Sequence, residues 1–208
     1  MEKDKKKKLI IFGSEGTAIE MKEFISNTLD FDSVEIVFIT ENLGDKDELA
    51  ACIDSNEYNL YFLLGTIDHK WRTICLDRLH GKPIEAFTYI HPKAFVAGSA
   101  NIGKGVYVGP NASISSLAII GDHSLVNLNA SVGHHAVLGK HVSVLPGARI
   151  SGGVRIGDGA LIGSNSFIYQ GLEVGENAAI DALAYVKKNI PPNTITFGPK
   201  SKTIRKVV

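Results

Sequence analysis

Two adjacent histidines, His134 and His135, are the side chains in this sequence best suited to acid–base chemistry. Histidine titrates near neutral pH, so a positioned imidazole can take a proton and return it within one reaction. Gly152 lies further along the chain, in the stretch Ser151-Gly152-Gly153, where a backbone N–H could meet a negatively charged oxygen. A base beside a free backbone donor is the minimum that acyl transfer requires, provided that the fold brings the two segments together.

A strict six-residue repeat predicts the element that positions them. Between Ile90 and Val186 the first position of every six-residue block is a branched aliphatic residue, the fifth position is mostly small, and glycine recurs at the second. A period of six fits neither a helix nor a single strand, so each block must be a short strand followed by a turn. The first positions are Ile90, Val96, Ile102, Val108, Ile114, Ile120, Val126, Val132, Leu138, Val144, Ile150, Ile156, Ile162, Ile168, Val174, Ile180 and Val186.

Three such blocks close one triangular coil, so residues separated by three blocks stack on the same face of a parallel β-helix. The large aliphatic side chains point inward, and each contributes about 1.5–3 kcal/mol by leaving water. The register places Ser116 one coil below His134 and Gly152 one coil above it. We therefore expect His134 and the Gly152 N–H to be neighbours at one corner.

The segment before residue 90 alternates apolar strands with amphipathic helices, which predicts a small α/β unit. The predicted strands are Lys8–Phe12, Val34–Thr40, Leu60–Leu64 and Ile84–Phe87, and the predicted helices follow Gly13 and span Asp47–Ile53 and Trp71–Leu79.

The turn after the first strand, Gly13-Ser14-Glu15-Gly16, is a partial phosphate-binding pattern at a helix N-terminus. It fits either a nucleotide or nucleotide-sugar site or a glycine turn used only for packing. A full NAD site is disfavoured, because Thr40 ends the second strand where an acidic ribose ligand is expected, with Glu41 only next to it.

Charge and composition favour a reduced, cytoplasmic, soluble protein. Lys plus Arg and Asp plus Glu both number 22, so no net field attracts nucleic acid or an acidic membrane. Lys3–Lys8 is expected to be a solvated tail, and the apolar run Leu9–Phe12 is too short for a signal peptide or a membrane span. Cys52 and Cys75 have no metal-binding or redox spacing.

Two further histidines, His123 and His141, are also separated by three blocks and should stack on one corner. We expect this pair to be a surface stack remote from the chemistry.

The terminal coils of a β-helix expose unpaired strand edges, which must be covered or interrupted. We expect the α/β unit to cover one end of the β-helix. At the other end the charged and proline-containing segment Val186–Pro192 is expected to stop the repeat, with Ile195–Val208 folding back over it.

The whole chain resembles bacterial sugar O- and N-acetyltransferases of the sialic-acid O-acetyltransferase and UDP-4-amino-sugar N-acetyltransferase type. The residues that carry the resemblance are Leu9-Ile10-Ile11-Phe12-Gly13 through Gly16, Ile90-His91-Pro92-Lys93-Ala94, and His134 to Gly157. The resemblance implies a Rossmann-like sugar-nucleotide-binding domain over residues 1–89 and a left-handed β-helix over 90–208. It also implies a homotrimer, with acetyl-CoA bound between neighbouring helices as co-substrate and no metal.

The resemblance also assigns roles to individual residues. His134 falls on the general base, Gly152 on the backbone donor to the oxyanion, and Asn127 on a polar residue near the acceptor. Positions that contact the coenzyme correspond to Ser164 and Ala182, and Ser143 stands where a second family histidine touches it. The acceptor-nucleotide region corresponds to Gly13, Ser14, Glu15, Thr40, Glu41 and Gly65.

Three departures from the family pattern concern catalysis, the coenzyme and the tail. The residue after the base is usually acidic and raises its basicity, whereas here it is His135. Ser143 replaces the coenzyme-touching histidine, which puts coenzyme affinity in question. The C-terminal Gly-x-Pro-Ala-Lys pattern is Phe197-Gly198-Pro199-Lys200-Ser201.

The sequence thus predicts an acetyl-CoA-dependent acetyltransferase that acts on the amino group of a nucleotide-linked amino sugar, for bacterial surface glycan synthesis, by direct transfer. A sugar or sialic-acid O-acetyltransferase is the alternative within this class, because no residue separates amine from hydroxyl acceptors. Two alternatives belong to other classes: an inactive sugar-sensing or assembly protein, and a metal-dependent carbonic anhydrase on the same fold. The second is suggested by the four histidines His123, His134, His135 and His141.

Overall fold

The N-terminal unit is a parallel sheet with helices. The computed structural model describes residues 5–38, 53 and 57–198. Within them the unit contains β1 (Lys6–Gly13), α1 (Glu15–Ser26), β2 (Ser33–Phe38), β3 (Tyr58–Gly65), α2 (His69–Leu79) and β4 (Glu85–Ala86). The strands are parallel in the order β2-β1-β3-β4, and Leu9 to Phe12 of β1 are fully buried. An unbroken apolar run is what a central strand covered on both faces requires.

The predicted elements that fall within the described residues are confirmed, with small changes of boundary. The second strand ends at Phe38 rather than Thr40. The helix predicted over Asp47–Ile53 lies outside the described residues, except for the buried Ile53.

The rest of the described chain is a parallel β-helix of two-residue strands. These are β5 (Tyr89–Ile90), β6 (Phe95–Val96), β7 (Asn101–Ile102), β8 (Tyr107–Val108), β9 (Ser113–Ile114), β10 (Ile119–Ile120), β11 (Leu125–Val126), β12 (Ser131–Val132), β13 (Val137–Leu138), β14 (Ser143–Val144), β15 (Arg149–Ile150), β16 (Arg155–Ile156), β17 (Leu161–Ile162), β18 (Phe167–Ile168), β19 (Glu173–Val174), β20 (Ala179–Ile180), β21 (Tyr185–Val186) and β22 (Ile195–Thr196).

The strands stack into the three faces of a triangular prism. The first face contains β5, β8, β11, β14, β17, β20 and β22, the second contains β6, β9, β12, β15, β18 and β21, and the third contains β7, β10, β13, β16 and β19. Neighbouring strands on a face are parallel and one coil apart, as in the pairing of Val132 with Ile150, which confirms the predicted register.

The inward-pointing aliphatic column and its small neighbours form the core. From Val108 to Val186 the first-position aliphatics are buried. The exceptions lie at the start: Ile90 is 41% exposed, and Val96 and Ile102 are only partly buried. The prediction that the α/β unit covers this end is therefore wrong.

The α/β unit packs against the side of the prism instead. It buries the outward-pointing residues Tyr89, Tyr107 and Leu125 of the first face against Leu9 and Leu63. These outward positions are apolar here because the α/β unit removes them from water. The opposite corner of the prism, between the second and third faces, is left uncovered by this contact.

The corners turn through left-handed backbone. The non-glycine residues with positive φ include His123, His135 and His141, with φ between 55° and 59°. The same conformation recurs at Asn111, Leu117, Asn129, Asn165, Asn177, Leu183 and Asn193. Asparagine is among the few side chains that tolerate this region well, which explains its frequency here.

The segment Val186–Pro192 does not stop the helix, which corrects the sequence prediction. Ile190 forms a parallel bridge with Val174, and β22 pairs with β20, so the chain adds a further turn to the prism. Residues 199–208 lie outside the described part of the chain. None of the helices in that described part is both long and apolar enough to span a lipid bilayer.

Candidate active site

The uncovered corner between the second and third faces holds the predicted base. His134 and His135 lie between β12 and β13 and are both exposed. The coil above places Ser151-Gly152-Gly153 at the same corner, because β12 pairs with β15 and β13 with β16. We call this stack of residues 133–135, 151–153 and 169–171 the histidine corner.

Gly152 lies directly against the imidazole of His134. A Cβ atom at Gly152 would stand 2.6 Å from both Cε1 and Nε2 of His134, closer than any non-bonded carbon can approach. The Gly153 N–H donates to the His134 carbonyl over 2.8 Å, and the Gly171 N–H donates to the Gly152 carbonyl over 3.0 Å. These bonds fix the coils in register, and glycine is needed at 152 to leave room for the ring.

The Gly152 N–H donates no hydrogen bond within the residues that the structure describes. It is therefore a donor available to an oxygen held beside the imidazole. Such a preorganised backbone donor stabilises charge that develops on a carbonyl oxygen during acyl transfer.

The two histidine rings are in direct contact. Nδ1 of His134 lies 3.0 Å from Nδ1 of His135, and the ring planes are perpendicular, at 89°. With this edge engaged, the Nε2 edge of His134 is the one beside Gly152.

An open cavity of about 430 Å³ lies over this corner, lined by His134, His135, Gly152, Gly153, Gln170 and Gly171. Gln170 was not predicted as a site residue. The register of the coils could have found it, because Gln170 stands two coils above His134 on the same corner. Its amide can donate to or accept from a polar ligand.

The residues expected to contact the coenzyme and acceptor lie on another corner. Ser164 and Ala182 stack between the first and second faces, one coil apart, and Asn127 lies beside the same corner two coils below Ser164. Asn127 is only 8% exposed, and its Oδ1 accepts the Leu128 N–H over 2.7 Å. A single chain therefore does not bring these residues to His134, since the whole second face separates the two corners.

Ser143 does not fit its expected role at the coenzyme. Its side chain is 1% exposed and donates to the Ile67 carbonyl over 2.8 Å, while Arg72 Nη2 donates to its Oγ over 2.6 Å. The α/β unit covers this part of the first face, so the Ser143 hydroxyl cannot reach a coenzyme bound in solvent.

Arg72 of α2 is a fully buried arginine that sequence reasoning missed. Besides Ser143, its guanidinium donates to the carbonyls of Thr66 (2.7 Å), His123 (3.1 Å) and His141 (2.9 Å). These bonds connect the α/β unit to two consecutive coils of the β-helix. Burial lowers the pKa of Arg72 to about 10, partly offset by Asp68, so the side chain remains charged at neutral pH.

His123 and His141 stack as predicted, with ring centroids 5.7 Å apart and 11° between planes, but they are not at the surface. Phe62 of β3 stacks on His123 at 5.9 Å, so the pair lies inside the contact between the two units. Neither Nδ1 atom has a hydrogen-bond partner among the described residues. Burial and the neighbouring His141 lower the pKa of His123 to about 4, and burial and Arg72 lower that of His141.

Four of the acceptor-nucleotide residues, Gly13, Ser14, Glu15 and Gly65, lie at the carboxyl ends of β1 and β3. Gly13 pairs with Gly65, and the Ser14 N–H donates to the Gly65 carbonyl over 3.2 Å. Ser14 precedes α1 without capping it through its side chain. Glu15 is the first residue of α1, whereas Thr40 and Glu41 lie outside the described residues.

The four histidines that suggested a metal site belong to two different corners. In the described ranges, no three His, Cys, Asp or Glu side chains are grouped so that they could hold a metal ion.

Two protein-family patterns match the repeat. The family described as bacterial transferase hexapeptide (six repeats) matches residues 135–170, and the hexapeptide repeat of succinyl-transferase matches residues 153–188. A comparison with curated protein sequences finds no match.

Solved structures share the fold over nearly the whole chain. The acetyltransferase domain of PglB from Neisseria gonorrhoeae, in complex with acetyl coenzyme A, is 25% identical with a TM-score of 0.79, covering 96% of this chain and 100% of that one. WeeI from Acinetobacter baumannii is 21% identical with a TM-score of 0.80, covering 91% and 96%. A point mutant of perosamine N-acetyltransferase from Caulobacter crescentus, in complex with CoA and GDP-perosamine, is 20% identical with a TM-score of 0.77, covering 91% and 93%.

These matches confirm the resemblance to sugar acetyltransferases with a left-handed β-helix of hexapeptide repeats.

Proposed function

We propose that this chain is an acetyl-CoA-dependent sugar acetyltransferase in which His134 is the general base. The observation that carries the proposal is the contact between the His134 imidazole and Gly152, whose N–H donates to no other group in the described part of the chain. The relatives that bind acetyl coenzyme A or CoA agree with this general kind of enzyme.

In this mechanism Nε2 of His134 takes a proton from the acceptor as its nitrogen or oxygen attacks the thioester carbonyl. The Gly152 N–H donates to the oxygen of the tetrahedral intermediate, and coenzyme A leaves as the thiol. A positioned general base contributes about 10²–10⁴-fold, and one backbone donor to an oxyanion contributes about 10²–10³-fold. No covalent intermediate is required, and neither cysteine of the sequence lies in the repeat.

For the acceptor we propose an amino group of a nucleotide-linked amino sugar, held by the α/β unit in a Rossmann-like manner. The N-terminus of α1 supports this proposal, since backbone N–H groups and the helix dipole there favour phosphate. The space beside Gly16 is open among the described residues, because a Cβ there would meet none of their atoms within 4 Å. The perosamine enzyme, which binds GDP-perosamine, is a relative with an acceptor of this class.

We further propose that the active site forms between copies of the chain in a homotrimer. The α/β unit covers the first face, whereas the histidine corner lies on the opposite side of the prism. Ser164 and Ala182 are likewise on a different corner from His134. A neighbouring copy could place its own corner between the first and second faces beside the histidine corner. That arrangement would bring the base, the coenzyme contacts and the acceptor together.

Thiol release from acetyl-CoA, measured with a panel of nucleotide-linked amino sugars and free sialic acids, tests the acceptor. Turnover confined to an amino sugar supports the N-acetyltransferase. Turnover only with sialic acids replaces it with the O-acetyltransferase alternative. Coenzyme binding without turnover on any acceptor would favour the inactive sugar-sensing protein instead.

A further inference from the structure

The contact between His134 and His135 constrains where their protons are. The two Nδ1 atoms are 3.0 Å apart, a hydrogen-bond distance between groups that can each donate or accept. Only one proton can occupy the contact, so one Nδ1 must carry it and the other must present a lone pair. The donor and acceptor roles are therefore linked to the tautomers of both rings.

Only one of the two neutral tautomers of His134 allows its Nε2 edge to act as a base. That edge lies beside Gly152, and it must hold a lone pair to accept a proton from the substrate. The proton of the neutral His134 must then be on Nδ1, where it can be donated to Nδ1 of His135. His135 in turn must carry its own proton on Nε2, toward the solvent-exposed side.

We propose that His135 is a positioning residue for catalysis: it accepts the Nδ1–H of His134 and thereby holds the base in its reactive tautomer. This inference rests on the proposed function. During the reaction the acceptor's proton moves to Nε2 of His134 as the new acyl bond forms, and it then passes to the sulfur when the C–S bond breaks. His135 neither gains nor loses a proton, because it only accepts the hydrogen bond of the imidazole and of the imidazolium.

A neutral imidazole can therefore serve where the resemblance led us to expect a carboxylate. The acidic residue of the family raises the basicity of the base through its charge, whereas the geometry here uses the lone pair on Nδ1 of His135. The charged side chains that flank this corner are Arg149 of β15 and Arg155 of β16, both exposed. The corner segments 115–117 and 151–153, below and above, contain no titratable side chain, so His135 is the group that faces His134 Nδ1.

The backbone supplies matched substitutions for a test. His135 has a φ of 59°, and Leu117, one coil below at the same corner, has the same φ of 59°. Asn129 adopts a φ of 55° at another corner. His135→Asn therefore keeps an acceptor oxygen near the position of Nδ1, whereas His135→Leu removes the acceptor. Asparagine and leucine both already occur in this chain with such a positive φ. Asn193→Leu, at an exposed corner between the third and first faces with a φ of 57°, controls for the loss of a polar corner residue.

The experiment combines ¹⁵N NMR of the histidine rings in the full-length protein without ligands with kinetics on the acceptor found by the panel. We expect His134 to be the Nδ1–H tautomer in the native protein and in His135→Asn, and to lose that preference in His135→Leu. In parallel, kcat should fall about tenfold or more in His135→Leu, part of the 10²–10⁴ that a positioned base contributes, with the KM for acetyl-CoA unchanged. His135→Asn should recover most of kcat.

An Nε2–H tautomer of His134 in the native protein would overturn the proposal, as would full kcat in His135→Leu. The NMR result does not depend on turnover. It therefore tests the positioning role of His135 separately from the proposed acetyltransferase function. If His134 can be removed without loss of activity, the proposed function fails whatever the tautomer. If His134 is essential and His135→Leu is fully active, only the role of His135 fails.

Discussion

Gly152 lies one coil above His134, so close that a Cβ atom at Gly152 would stand 2.6 Å from Nε2 of the imidazole. Gly152 is not among the glycines with positive φ. The need for glycine at this position is therefore steric, and it comes from the base itself.

Gly152→Ala should consequently fold and lose activity. The added methyl group must displace the imidazole, and the loss should fall within the about 10²–10⁴-fold range of a misplaced base. Thermal unfolding and kcat/KM measure the two effects separately. Gly98→Ala is the matched control, because it also has no positive φ and a Cβ there would meet nothing within 4 Å. Equal activity in both variants would show that the imidazole position does not matter.

Arg72→Lys should destabilise the protein despite keeping the charge. A single ammonium group cannot reach the carbonyls of Thr66, His123 and His141 together with Ser143 Oγ, which the planar guanidinium does. Each buried acceptor left unpaired costs about 1–3 kcal/mol, so we expect a loss of about 2–4 kcal/mol in urea unfolding.

Lys70→Gln, an exposed change on the same helix, should shift stability by no more than about 0.5 kcal/mol. If Arg72→Lys unfolded at the same urea concentration as the unsubstituted protein, the result would contradict the connecting role of this arginine.

The repeat allowed much of the β-helix to be predicted from the sequence, including the pairing of Val132 with Ile150 and the approach of Gly152 to His134. Three blocks to a coil specify which side chains stack, because every coil has the same geometry. The repeat does not specify what lies against the outside of the prism. For that reason the burial of His123 and Ser143, and the role of Arg72, were not predictable.

The contact between the α/β unit and the β-helix should weaken in acid. The pKa of His123 in the folded protein is lowered to about 4 from an ordinary value of 6.5. The unfolded chain therefore binds more protons between these values, so the stabilisation is full above about pH 6.5 and is lost as the pH falls toward about 4. The pKa of His123 is also lowered by His141, Arg72 and Lys140, whereas Asp122 raises it. The pKa of His141 is itself lowered, so its titration adds to the loss of stability in acid.

Urea unfolding at several pH values between 4 and 7 measures this dependence. His123→Asn, which suits the φ of 55° at this corner, removes one titrating group and should reduce the slope of stability against pH. An unchanged slope in that variant would assign the acid sensitivity to other groups.

Two inactive variants should restore each other if the active site forms between copies. His134→Ala removes the base, and Ala182→Trp should block the coenzyme at an exposed position of the corner between the first and second faces. In mixed trimers about a quarter of the sites would combine an intact His134 from one copy with an intact Ala182 from its neighbour. Activity that stays absent in the co-refolded mixture would mean that one chain supplies both residues.

The measurement that tests the central claim most directly is the turnover of His134→Ala with acetyl-CoA and the preferred acceptor. We predict that kcat falls by about 10²–10⁴, while acetyl-CoA still binds, because the side chain acts on the acceptor's proton. His80→Ala, at an exposed histidine after α2, should remain fully active. Full activity in His134→Ala would contradict the account, because no base would then be needed at the histidine corner.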